Sequence, residues 1–167
     1  MLDPLYRGCG VLAAICLVGI AALILAQIIG RLLGFIIPSA DDFAGYLMAA
    51  STFLALAYTL RMGGHIRVTM VIRYIPESVA YWLELFVIIL GATVSGYFAW
   101  FMIDMVWQSY QYKEVSQGHV PTPLWIPQSI LAFGLVVLSI AFLEEIWRIL
   151  SGQMPTYNLI EHTEHND

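Results

Sequence analysis

Four stretches of the chain run for 18 residues or more with at most one charged side chain: 8–30, 43–60, 79–103 and 124–143. A helix rises about 1.5 Å per residue and the hydrocarbon core of a bilayer is about 30 Å thick, so roughly 20 apolar residues cross it. All four runs reach or approach that length. Strands of a membrane barrel would instead alternate apolar and polar residues over about 10 positions, and none of these runs alternates. The expected fold is an all-α membrane protein with four transmembrane helices, spanning about 8–30, 43–60, 79–103 and 124–147 within one domain, 1–150. Residues 151–167 read as a polar cytoplasmic tail. The first run is longer than the roughly 7–15 residues of a secretory signal core, and only Arg7 stands against Asp3 before it, so it reads as a retained span.

The composition excludes several other classes. The chain is 60% hydrophobic and 11% charged, where soluble domains carry about 25% charge. Its net charge of −5 leaves no basic surface for a nucleic acid. Cys9 and Cys16 lie in one apolar run without a CxxC or a neighbouring histidine, which suits neither a disulfide framework nor a zinc site. A haem bundle needs histidines facing its interior, and all four histidines lie outside the runs. His162 and His165 in the tail read as solvated. No catalytic group, cofactor site or metal site is expected.

The basic residues of the short connections orient the spans. Arg7, Arg61, Arg67, Arg73 and Arg148 fall on one side, and Arg31 and Lys113 on the other. This puts both termini and the 61–76 connection in the cytoplasm, and the 31–42 and 104–123 connections outside. Trp82, Trp107, Trp125 and Trp147, with Tyr6, Tyr46, Tyr58, Tyr81 and Tyr110, stand at run borders, as interfacial rings do.

One charged residue falls inside a run. Burying a charge at mid-membrane costs at least about 2.5 kcal/mol, so Glu84 requires a reason. At 100° per residue, Gly91, Ser95 and Met102 share its direction, and small residues of this kind admit a neighbouring helix closely. Glu84 therefore reads either as a polar contact to another helix or subunit, or as a carboxylate reaching the headgroups beside Trp82. A self-sufficient small proton-coupled exporter using Glu84 is the alternative function.

The second connection, 61–76, carries Arg61, Gly63 and Gly64 before Pro76. Within it His65, Thr69 and Arg73 recur every four residues, with apolar side chains between. Residues 64–75 thus read as a short cytoplasmic amphipathic helix in the interface, with Arg67 and Arg73 near anionic lipid. On the other side, Gly118, Pro121 and Pro123 shape a loop ahead of Trp125, and Pro127 suits the first turn of the fourth helix. That loop could be a docking surface or an uncommitted connection. Glu144 and Arg148 are spaced to pair on the last turns.

At these segments the sequence resembles the small membrane subunit, of DctQ type, of tripartite ATP-independent periplasmic (TRAP) transporters. The resemblance rests on Leu60-Arg61 with Gly63-Gly64-His65-Ile66-Arg67-Val68, and on Glu114-Val115-Ser116 with Pro123-Leu124-Trp125-Ile126-Pro127-Gln128. It covers roughly residues 8–150 and departs at Thr69, where such subunits often carry Asp. It implies a multi-pass subunit of a bacterial inner membrane with no chemistry of its own. A periplasmic substrate-binding protein captures an organic acid, such as a dicarboxylate, sialic acid or a sugar acid. A large permease subunit then imports it, driven by sodium that binds to that subunit. The small subunit would steady the fixed scaffold of the large one. Candidate contacts to that subunit or to membrane lipids are Arg61, Gly64, His65, Arg67, Arg73, Glu84, Gly91, Ser95, Trp125 and Pro127.

Overall fold

A computed structural model describes residues 3–61 and 77–151. Among the described residues four helices form: α1 (Asp3–Leu32), α2 (Ala40–Arg61), α3 (Glu77–Gln111) and α4 (Trp125–Leu150). Each is long and apolar enough to cross a membrane, so the helical reading of the four runs holds. The interfacial segment expected at 64–75 and nearly all of the tail lie outside the described residues.

Local chemistry sets the helix ends. α1 stops where Gly34 adopts φ +82°. The Phe35 N–H then donates to the Gly30 carbonyl at 3.0 Å and the Gly34 N–H to Arg31 at 3.3 Å, the paired bonds by which a left-handed residue closes a helix. α2 opens with Asp41 and Asp42 in its first turn, next to the positive end of its dipole. Pro127 sits in the first turn of α4, where its missing N–H leaves no intrahelical bond unmade.

The third helix departs from its expected boundary. The last apolar residue of the run is Ile103, yet α3 continues to Gln111. Asp104 and Gln108 interrupt the apolar pattern without interrupting the backbone, and the Gln108 side chain donates to the Asp104 carboxylate at 2.7 Å. The helix ends instead at Gln111, just before Lys113 takes φ 53°, with the Glu114 N–H donating to the Ser109 carbonyl at 3.0 Å. The connection expected at 104–123 is therefore shorter, and Asp104 belongs to a helix.

α2 and α4 are the central pair: α1 packs on α2, and α3 packs on α4. At Gly134 of α4 an added Cβ would lie 2.8 Å from the backbone carbon of Phe53 in α2, so only glycine permits this approach. Tyr6, Cys9 and Ala13 of α1, Leu54 and Ala57 of α2, and Val137, Leu138 and Ala141 of α4 form one buried cluster. It lies toward the end of the molecule that carries the start of α1 and the ends of α2 and α4, the terminal end; residues 33–39 and 112–124 occupy the loop end. Tyr6, expected as an interfacial ring, is 1% exposed. Its position near the start of the run resembles that of a border residue, but its face is the one that meets α2 and α4.

Candidate functional site

The polar and irregular parts of the molecule gather at its two ends. At the loop end, residues 112–124 fold back on themselves. The Ser116 N–H donates to the Thr122 carbonyl at 2.8 Å, and the Leu124 N–H to the Glu114 carbonyl at 3.0 Å. Ser109 is buried and donates its hydroxyl to Glu114 at 2.8 Å, which ties the returning chain to the last turns of α3. The Tyr110 and Trp125 rings meet edge to face at 5.8 Å. They help line an open depression of about 450 Å³, along with Lys113, Glu114 and Pro123.

The tip of this loop reaches the other connection. The Val120 N–H donates to the Ser39 hydroxyl at 2.9 Å, and an added Cβ at Gly118 would overlap the Asp42 carboxylate. Ser39 takes φ 56°, a left-handed conformation that costs a non-glycine residue energy. The loop is thus a strap that joins the α1–α2 hairpin to the α3–α4 hairpin. Gln27 of α1 adds a bond to Asp41 of α2 at 2.9 Å.

At the terminal end, Tyr6 donates its hydroxyl to Glu144 at 3.0 Å, linking the first helix to the last. Arg148 lies 3.8 Å from the same carboxylate. The pairing of Glu144 with Arg148 follows from their spacing, whereas the contribution of Tyr6 does not. Glu145 is buried as well, 3% exposed. Sequence reasoning passed over it, although Leu138, Ala141, Glu145 and Ile149 recur at helical spacing, and all four are buried. Once that stripe is recognised as a packing face, Glu145 falls on it.

The residues singled out from the sequence divide into three groups. Gly91 and Ser95 lie on the face of α3 that meets α4. A Cβ at Gly91 would come within 2.7 Å of the Phe142 ring. Ser95 is 5% exposed and donates its hydroxyl to the Ala92 carbonyl at 3.2 Å. Both therefore serve contacts within the chain. Trp125 borders the loop-end depression, and Pro127 is buried in the first turn of α4. Arg61 is the last residue of α2, and position 84 lies two turns before Gly91 on α3, but their side chains are outside the described residues. Gly64, His65, Arg67 and Arg73 lie outside them entirely.

The described residues contain no group of three or more His, Cys, Asp or Glu able to hold a metal ion. Their hydrogen bonds close helices, straps and helix pairs, an arrangement suited to holding a shape and presenting faces. A search of curated proteins gives no match to the chain. Over residues 20–152, from the middle of α1 through the end of α4, the sequence matches the family model described as tripartite ATP-independent periplasmic transporters, DctQ component. The chain belongs to that family and is a multi-pass membrane component of a transporter.

Proposed function

We propose that the protein is the scaffold subunit of a sodium-coupled importer of organic acids in a bacterial inner membrane. It works with a large permease subunit and a periplasmic substrate-binding protein. Sodium and solute bind to those partners, and this chain carries no cofactor of its own. The loop end faces the periplasm and the terminal end the cytoplasm, as the distribution of basic residues suggests. Residues 64–75 lie along the cytoplasmic interface, where Arg67 and Arg73 meet anionic lipid.

One observation carries this reading: a chain of the DctQ family builds its spans as packed pairs, with α3 attached to α4 alone among the strongly packed neighbours. Such an arrangement leaves long apolar helix faces for a partner. The test is reconstitution with the large permease subunit and the binding protein. The full set should accumulate an organic acid in proteoliposomes under an inward sodium gradient, and omission of this chain should abolish uptake. Transport by this chain alone would refute the reading. The exporter alternative predicts that Glu84→Gln abolishes transport while leaving assembly intact. The scaffold reading predicts that any effect of that change shows first in recovery of the complex.

A further inference from the structure

The far side of α3 presents a polar pair within an aromatic face. Asp104 is exposed, and its hydrogen-bond partner among the described residues is Gln108. Around it stand Tyr97, Trp100, Phe101 and Trp107, all more than half exposed. Tyr97 and Phe101 pack with their rings tilted at 50° and their centroids 4.7 Å apart. Helical register places Asp104 within about 20° of Tyr97 and on the opposite side from Ser95 and Ala99, which pack toward α4.

The depth of Asp104 follows from the aromatic residues. Trp125 and Trp147 are both exposed and lie 22 residues apart on α4, about 33 Å, close to the thickness of the hydrocarbon core. Tyr110 touches Trp125 and so marks the same level on α3. Asp104 precedes Tyr110 by six residues, which sets it about 9 Å deeper than that belt. A short carboxylate side chain spans little of that distance, unlike a lysine or arginine that snorkels. In lipid the face would leave an exposed acid in the outer part of the hydrocarbon layer; ionisable residues so placed pair with a partner.

We infer that the α3 face centred on Asp104 and Gln108 docks a membrane-spanning helix that carries a basic side chain in the outer part of its span. Given the proposed function, that helix belongs to the large permease subunit. Charge complementarity selects the basic group, and Trp100 and Trp107 on one flank with Phe101 on the other exclude lipid and water from the pair. Opposite faces of α3 thus have different tasks: small residues bind α4 and large ones bind the partner.

The test uses the co-expressed complex, with a photo-reactive phenylalanine analogue placed at position 100 or 108. Both positions should form adducts with the large subunit. Asp104→Asn should lower recovery of the complex about tenfold without changing the melting temperature of the isolated chain, and Asp104→Glu should restore much of it. Adducts with lipid alone, or with a second copy of this chain, would overturn the inference, as would full recovery with Asp104→Asn. If the unmodified chain captures the large subunit but the analogue forms adducts with it only when placed on α1, at the exposed position 18, the docking face is wrong while the scaffold role stands. Failure of the unmodified chain to capture it at all removes both.

Discussion

α3 and α4 have nearly the same mean hydropathy, 2.0 and 2.2, and differ greatly as parts of the molecule. Both are apolar enough to cross a bilayer, yet 33% of the most apolar window of α4 is buried against 17% of that of α3. Between lipid and another helix there is little hydrophobic preference, because lipid tails are as apolar as leucine. What separates the two helices is the placement of small side chains. α4 carries Ala132, Gly134 and Ala141 at buried positions along its length. α3 carries a comparable row, with Ser95 and Ala99 buried and Gly91 against Phe142, on one side only. Its other side is large and aromatic. In a membrane, close contact between helices follows steric fit more than apolarity.

The sharpest way to break this comparison is to fill equivalent glycines on the two helices. Gly134→Leu pushes a side chain into the backbone of Phe53 and should cost about 3 kcal/mol of unfolding free energy in detergent. Gly96→Leu on α3 enters open space, with nothing within 4 Å of the added Cβ, and should stay within about 0.5 kcal/mol of the parent. Equal losses at the two sites would mean that α3 is packed on both faces.

Next in size is the link between the first and last helices. Tyr6→Phe keeps the buried ring and removes the hydroxyl bonded to Glu144, with an expected loss of about 1.5 kcal/mol, since a hydrogen bond to a charged group is broken. Gly91→Ala should cost about 1 kcal/mol, because the atoms it meets are the far edge of the Phe142 ring, which can turn aside. Both can be measured by thermal or denaturant melting of the purified chain. Ser39→Ala should have the smallest effect on global stability, about 0.5 kcal/mol, because its bond to the Val120 N–H is exposed. Its effect should appear locally, as faster amide exchange or proteolysis within 112–124.

The four helices are legible in the sequence because each run meets the length that a bilayer requires. The far end of α3 is not, because counting apolar residues stops at Asp104, whereas the helix runs on to Gln111 and closes where Lys113, just past it, turns left-handed. The strap is legible only in part: Gly118, Pro121 and Pro123 signal a shaped loop, but nothing local says that its tip will meet Ser39 and Asp42. Glu145 could have been found from its spacing with Leu138 and Ala141, once that face was known to be buried. Gly91 and Ser95 read from their spacing as a close-packing face, and only the folded chain shows α4 to be the neighbour that Gly91 meets, at Phe142.

The sequence by itself determined the class of the protein, the four runs long and apolar enough to cross a bilayer and, through two short motifs and a match over residues 20–152, its family. These depend on local quantities: run length against membrane thickness, and residues adjacent along the chain. The tertiary structure alone decided which helices are neighbours, that Tyr6 is a core residue, and that Asp104 stands on an exposed face of α3. Helix pairing in an apolar medium depends on the mutual fit of surfaces distant in sequence, and a single apolar helix has no local feature that specifies its neighbour.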